Sequence, residues 1–285
     1  MRAPEFEFDY LTRQPEGRLA PLVASIWYAR GTVSYTRERI APTGSTVAVF
    51  VLGDPILHTA DDGAGPTLRA NRGFLTGPHD RPAVNEPTGE TFAVGVVTTP
   101  VGCQPLFGLP PSTLRGRVVD LCQAWPAAAT LRNRLLAAPE PAAMLDLVEH
   151  HLDEHCDDAV GGLARVTAAV ALLEDDPVRP IAEVAAELDL SHGHLNTEFT
   201  RLVGLTPRAL ARLLRMRALL ARLDIEAEPS WTDEAARLGW FDQAHMIRDF
   251  KRHTGVTPTE YLAARRAVYG ADQGAPGFVP EIPEI

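Results

Sequence analysis

Lysine is nearly absent from this sequence. Lys251 is the only one among 27 basic residues, so the positive charge is almost entirely guanidinium. Guanidinium is a planar fork suited to bidentate partners rather than a mobile point charge. Cysteine is scarce too. Cys103, Cys122 and Cys156 are odd in number and widely spaced, which excludes a disulfide framework and a CxxC metal clip. Long apolar runs are missing. The longest clean one is Val47 to Leu52, far short of the ~20 residues a membrane-spanning helix needs. The first residues, Met1-Arg-Ala-Pro-Glu-Phe-Glu, lack the apolar segment of a secretory signal. The expected compartment is therefore the cytoplasm, with no membrane partner. There is no G-x-S-x-G, P-loop or H-E-x-x-H. The chain is expected to be no enzyme, with no catalytic residues and no cofactor.

Acid outweighs base. The 285 residues carry a net charge of −10, which taken alone argues against nucleic acid. Its distribution weakens that objection. Residues 161–270 hold 14 basic and 15 acidic residues, while the rest holds 13 and 22. Any nucleic-acid binding must use a local basic face and depend strongly on salt.

The chain changes character along its length. From Leu19 to about Cys103, short apolar stretches such as Val47 to Leu52 and Phe92 to Val97 alternate with turn signals at Asp61 to Pro66 and Gly77 to Asp80. This predicts a β-rich barrel or sandwich. From Pro126 the apolar positions Leu131, Leu135, Leu136 and then Met144, Leu145, Val148, Leu152 follow helical spacing. The expected fold class is α+β. A β-rich, barrel-like sensor or scaffold domain spans 1–125, and a helical connector with a hinge at Gly161-Gly162 spans 126–162. An all-α domain with two helix-turn-helix units spans 163–269. A tail, disordered or laid on the surface, spans 270–285.

The all-α part repeats itself. Ile181 to Ser191, His194-Leu195, Phe199 and Gly204 to Pro207 return as Trp231 to Trp240, His245-Met246, Phe250 and Gly255 to Pro258. The offset is 50 residues before the turn and 51 after it. A short helix, a turn and a second helix, stated twice, predict two helix-turn-helix units, each laying its second helix in a major groove. Ser191 and Asp242 are suited to cap the recognition helices. Leu195, Phe199 and Leu202 in the first, and Met246, Ile247 and Phe250 in the second, are the expected buried faces. His192, Gly193, Asn196 and Thr197, and Gln243, Ala244, His245 and Arg248, then face base edges. Glutamine suits adenine and arginine suits guanine. Arg201, Lys251 and Arg252 are placed for phosphates. Thr206 and Thr257, each followed by proline, open helices whose free N–H groups suit phosphate. A helix from Pro207 to about Leu223 would join the units, spanning roughly 25 Å at 1.5 Å per residue. It can hold two recognition helices about one DNA turn apart.

The stretch from Val166 to Ala267 resembles the DNA-binding domain of the AraC/XylS family of transcription regulators. The residues that carry the match are Ile181 to Ser191, His194-Leu195, Phe199, Gly204 to Pro207, Leu238-Gly239, Asp242-Gln243, His245, Phe250, Gly255 to Pro258 and Tyr261. The N-terminal part resembles an uncharacterised barrel found in one subgroup, through Glu38 to Pro42, Gly53 to Pro55, Arg72 to Phe74, Gly77-Pro78, Leu106 to Pro110 and Arg117 to Leu121. The resemblance implies a regulator that binds double-stranded DNA, as activator or repressor. Two residues depart from the family pattern. Glu234 stands where an aliphatic residue is usual, so it either turns to solvent or weakens the second unit. Gly193 stands where a larger contacting side chain is common.

Two other groups of residues carry candidate chemistry. His150, His151, His155 and Cys156 share one helix, and His151 and His155 have the i, i+4 spacing that can grip a metal. They are read as a solvated helix face, with no metal site. Trp27, Tyr28, Tyr35, Phe50, His58, Phe74, His79, Phe92 and Cys103 could line an effector pocket, or serve as ordinary core. A small-molecule effector and a homodimer are thus both open partners. The rival readings are an effector-free regulator whose barrel is only a dimerisation scaffold, and a barrel enzyme fused to a DNA-binding module.

Overall fold

A computed structural model of the chain describes residues 8–269 and 276–281. Nine strands open the fold: β1 (Phe8–Arg13), β2 (Val23–Gly31), β3 (Arg37–Ile40), β4 (Val47–Val51), β5 (Ile56–Thr59), β6 (Thr67–Ala70), β7 (Gly73–Thr76), β8 (Ala83–Pro87) and β9 (Thr91–Thr98). Two more come later, β10 (Val118–Asp120) and β11 (Phe278–Glu281). They form a six-stranded sheet in the order β1-β2-β9-β4-β7-β10 and a five-stranded sheet in the order β11-β3-β8-β5-β6. The two apolar runs of the sequence are β4 and β9, paired at the centre of the first sheet. Both faces of that sheet are covered, which is why these strands read as continuous apolar runs rather than alternating ones. Ala48, Phe50, Val94 and Val96 join the large core on one side, while Val49, Val51 and Ala93 meet Ile56 and Phe74 on the other.

The two sheets are open, so the expected barrel is not closed. The chain passes from one sheet to the other at Gly53-Asp54-Pro55 and again across 77–82, which contains Pro78 and Pro82. Proline offers no N–H to a ladder, so hydrogen bonding cannot run round these corners. Gly95 on β9 leaves the space in which the Trp27 ring lies. A Cβ there would stand 2.1 Å from the ring.

Helices cover the other face of the six-stranded sheet: α1 (Cys103–Phe107), α2 (Pro111–Leu114), α3 (Leu121–Ala124), α4 (Ala127–Ala137) and α5 (Pro141–His155). As the spacing predicts, α5 buries Met144, Leu145, Val148 and Leu152, and it packs against β2. The C-terminal helices are α6 (Leu163–Asp175), α7 (Ile181–Glu187), α8 (His192–Val203), α9 (Pro207–Arg222), α10 (Trp231–Arg237), α11 (Gln243–Thr254) and α12 (Pro258–Val268). The large core is continuous from Phe50 and Leu75 through Leu145 to Val184, Phe199 and Leu213. A separate core holds Met216, Trp240, Met246, Phe250 and Tyr261, and it takes in Ala41 and Val279.

The tail expected over 270–285 lies in part outside the described residues. Its described piece forms β11, which pairs antiparallel with β3 from Phe278↔Ile40 to Glu281↔Arg37. The Gly, Pro and acid around it hid a strand whose partner lies more than 200 residues away. Pro280 is tolerated because β11 is an edge.

Candidate nucleic-acid interface

The two turns are built alike. In the first, Leu190 N–H donates to Ala185 O at 2.9 Å, and in the second Trp240 N–H donates to Ala235 O at 2.9 Å. Each turn needs one left-handed residue, Asp189 (φ 54°) in the first and Gly239 (φ 74°) in the second. The second helix of each unit, α8 and α11, is capped as the sequence predicts. Ser191 Oγ accepts from His194 N–H at 3.2 Å, and Asp242 Oδ1 from His245 N–H at 2.6 Å. The change of offset from 50 to 51 has a physical location. The first turn goes from Leu190 directly to its cap, whereas the second inserts Phe241 between Trp240 and Asp242. That inserted side chain is 91% exposed. The offset was the signal that could have found it, and sequence reasoning did not assign it.

Leu195, Phe199 and Leu202 are buried in α8, and Met246 and Phe250 in α11. Ile247, expected to be buried, is only half-buried at the edge of its core. In α8, His192, Gly193 and Thr197 are exposed and Asn196 half-exposed. A Cβ at Gly193 would meet nothing within 4 Å, so its smallness leaves reach unused rather than relieving a clash. The Thr197 hydroxyl is turned onto its own helix, donating to Gly193 O at 3.0 Å. In α11, Ala244 and Arg248 are exposed, Gln243 and His245 half-exposed. Gln243 Oε1 accepts from Thr232 Oγ1 at 3.0 Å, and its amide nitrogen makes no hydrogen bond among the described residues. His245 Nε2 lies 3.6 Å from Asp249. Arg248 makes no hydrogen bond or ion pair among the described residues.

The second unit is braced from within. Asp249 accepts from Trp240 Nε1 at 2.9 Å and from Arg215 at 3.4 Å, while Arg215 also donates to Gly239 O in the turn at 3.1 Å. The Arg215 guanidinium lies over the Trp240 ring at 4.5 Å. Glu234 does not simply turn to solvent. It is largely covered, with Arg222 at 3.6 Å and Arg237 at 3.7 Å on either side.

The expected phosphate contacts divide into engaged and open ones. Lys251 is exposed. Arg201 donates to Gly161 O at 2.5 Å, and Arg252 pairs with Asp80 of the N-terminal part at 2.6 Å. Thr206 caps α9, accepting from Ala209 N–H at 3.2 Å. Thr257 forms a capping box with Glu260. The bond from the Thr257 N–H holds the Glu260 carboxyl below its usual range.

The residues considered for a pocket fall into the core or near it. Tyr28, Phe50, Phe74 and Cys103 are buried. His58 stacks on Phe74 with ring centroids 4.2 Å apart. Its two nitrogens meet Asn85 at 3.3 Å and Thr76 at 3.1 Å. Burial pushes His58 down to about 4, against the opposing hydrogen bond that its Nδ1 donates to Asn85, so the ring is neutral at pH 7. His79 Nδ1 meets Gly77 O at 2.7 Å. Trp27 lies over Gly95. Phe92 meets Tyr28 edge-on at 6.0 Å, and Tyr35 donates to Glu38 at 3.0 Å. On α5, the His151 and His155 rings stack at 4.4 Å and His150 pairs with Glu154 at 3.2 Å. The Cys156 thiol points back to Asp153 O at 3.7 Å.

Residues 184–264 match the family model of the helix-turn-helix domain, and residues 11–120 match a domain of unknown function, DUF6597. Among solved structures the chain is similar to unsaturated fatty acid-bound ToxT from Vibrio cholerae. The identity is 12%, over 96% of this chain and 100% of that one, with a TM-score of 0.48. It is also similar to a probable AraC family transcriptional regulator from Rhodopseudomonas palustris, at 26% identity over 35% of this chain and 95% of that one, TM-score 0.31. A transcriptional regulator from Chromobacterium violaceum matches at 24% identity over 38% of this chain and 96% of that one, TM-score 0.32. No curated protein matches the chain in sequence.

Proposed function

From an AraC-type helix-turn-helix domain at 184–264, preceded by a domain of unknown function at 11–120, we infer a transcription regulator that reads a specific duplex site through α8 and α11 and is governed by its N-terminal part. The observation that carries the reading is the duplicated, capped turn, which aims two recognition helices outward from one joining helix. Selecting duplexes from a random pool with the full chain tests it. The expected result is a preferred site spanning two successive major-groove segments. Enrichment of no sequence would overturn it.

Phe241 belongs to this interface by position. A phenyl ring held in water beside the cap of α11 gains most when a partner covers it, and a thymine methyl or a sugar face can do so. Phe241→Ala should change folding stability by less than ~0.5 kcal/mol, as for a surface site. It should weaken binding to the selected duplex roughly fivefold. Denaturant unfolding beside a binding titration checks both parts.

Control by the N-terminal part is supported by the contacts made on α11. Asp80 holds Arg252, and its carbonyl accepts from His253 Nδ1 at 2.8 Å. Gly255, at the end of α11, lies against Arg39, where a Cβ would stand 2.6 Å from the side chain. A guanidinium paired with Asp80 is not available to phosphate, so docking and DNA binding compete for Arg252. Asp80→Ala should raise affinity by about fivefold at low salt and steepen the salt dependence by about one contact. Arg252→Ala added to it should remove both effects. A salt series with the three proteins measures this, and an unchanged slope in Asp80→Ala would exclude the competition.

The scaffold reading keeps one supporting observation. The polar groups between the sheets, His58, Asn85 and Thr76, satisfy one another rather than facing open space.

A further inference from the structure

Among the described residues, β1 is an open edge. The six-stranded sheet begins with it, and among the described residues no strand pairs with its outer side. Its register with β2 runs unbroken from Phe8↔Gly31 to Arg13↔Ile26, so no bulge twists it away. It contains no proline, and the one lysine of the chain is elsewhere. Proline, lysine and bulges are among the devices by which sheet edges are kept from pairing, and the two charges β1 does carry, Asp9 and Arg13, are of opposite sign. It also carries Phe8, Tyr10 and Leu11, which are 39%, 55% and 37% exposed. They are three of the six large apolar side chains exposed among the described residues.

We propose that β1 is a homodimer interface, pairing antiparallel with β1 of a second copy about a two-fold axis at Leu11. The two six-stranded sheets would then continue as one. Oligomers of identical chains favour such self-complementary, closed contacts. The register follows from geometry and charge. Along a strand, alternate residues aim their backbone groups at the same edge. Two identical strands can therefore pair only so that residues of equal parity face each other, which places the axis on a residue rather than between two. An axis on Leu11 sets Leu11 against Leu11, Tyr10 against Thr12 and Asp9 against Arg13. An axis on Tyr10 would set Asp9 against Leu11 and bring no opposite charges together. Opposite charges directly across a pair stabilise it.

Arg13 is already held for this contact. Asp146 at 2.5 Å and Glu149 at 3.1 Å, both on α5, bind its Nη1. Among the described residues Nε and Nη2 have no partner, and they can take a third acid, Asp9 of the second copy. The contact uses one edge per chain, so it closes at two.

The test is the oligomeric state of the full chain by sedimentation, with register read by cross-linking. The wild type should sediment at twice the chain mass. Leu11→Lys places like charges across the axis and should raise the dimer dissociation constant at least tenfold, with circular dichroism confirming the fold. Leu11→Cys should form an inter-chain disulfide on mild oxidation, because residues facing each other across a ladder lie within disulfide reach. Tyr10→Cys should do so much more slowly. The native thiols Cys103 and Cys156 are buried, and the wild type gives the background. A wild type monomeric at all concentrations up to ~100 μM, or a dimer indifferent to Leu11→Lys with no Leu11→Cys cross-link, would overturn the interface. Faster cross-linking at position 10 would overturn the register. None of these outcomes depends on DNA binding.

Discussion

Glu38→Gln should leave stability near pH 4 almost unchanged and raise it at pH 8 by up to about 3 kcal/mol. Glu38 lies on β3 and is only 2% exposed. Its carboxyl accepts hydrogen bonds from the hydroxyls of Tyr35 and Tyr269. Burial pushes it up from 4.5 to about 7, while the two tyrosine bonds and the nearby Arg265 oppose the rise. A folded value above the unfolded one means that the native state holds a proton the unfolded chain has lost. Stability therefore falls as pH rises from 4.5 to about 7, and above that the full difference applies, at 1.36 kcal/mol per unit. The figure is an upper bound, because a native state that relaxes around the charge loses less. Both tyrosines are pushed up, by burial first and by Glu38 next, so neither ionises in this range. Glutamine keeps the shape and cannot ionise. Urea unfolding of both proteins between pH 4 and 8 measures the effect. Parallel pH profiles would show that Glu38 ionises in the fold without cost.

The consequence extends beyond stability. Tyr269 follows α12, and Arg265 within α12 donates to Phe278 O of β11 at 3.1 Å. Tyr261 accepts from Gly277 N–H at 3.0 Å. Val279 enters the core of the second helix-turn-helix unit while its strand pairs with β3. Glu38 therefore lies at the seam where the N-terminal sheet meets the second unit, and its ionisation loads that seam.

What was legible in the residues is what short-range chemistry decides. The caps at Ser191 and Asp242, Pro207 and Pro258 at helix starts, and Gly204 and Gly255 at helix ends mark α8, α9, α11 and α12 within a residue or two. The buried stripe of α5 and strands β4 and β9 follow from apolar spacing. What stayed hidden depends on partners far along the chain. Nothing near Asp80 announces Arg252, 172 residues on, and nothing near Phe278 announces Ile40. Whether two sheets close into a barrel is decided by which edges meet, and β1 and β10 remain edges here. Phe241 was visible only as an arithmetic slip between two repeats, which says that a residue is extra without saying where it points.

Arg248→Ala should cost about 1–3 kcal/mol on the selected duplex, roughly 5- to 150-fold in affinity, and should relax the preference at one base pair. The argument rests on which guanidinium of α11 is uncommitted. Arg252 is paired with Asp80, and Arg215, from α9, is spent on Asp249 and the turn carbonyl of Gly239. Lys251 is exposed near the C-terminal end of α11, where a point charge suits the backbone of the duplex. Arg248 is one turn on from Ala244, exposed, and free of any partner among the described residues. Its helix is fixed at the N-terminus by Asp242 and through its middle by Asp249, so the side chain starts from a rigid base. A bidentate pair with guanine is then the contact its fork and position allow. If Arg248 met only phosphate, its loss would weaken selected and scrambled duplexes alike and would lower the salt slope by about one contact. Titrating both duplexes with wild type and variant across a salt series separates these outcomes. Equal losses on the two duplexes would remove the base-reading role. Unchanged binding to both would take α11 out of the interface and leave sequence reading to α8, whose outward residues are the small Gly193, the self-bonded Thr197, His192 and Asn196.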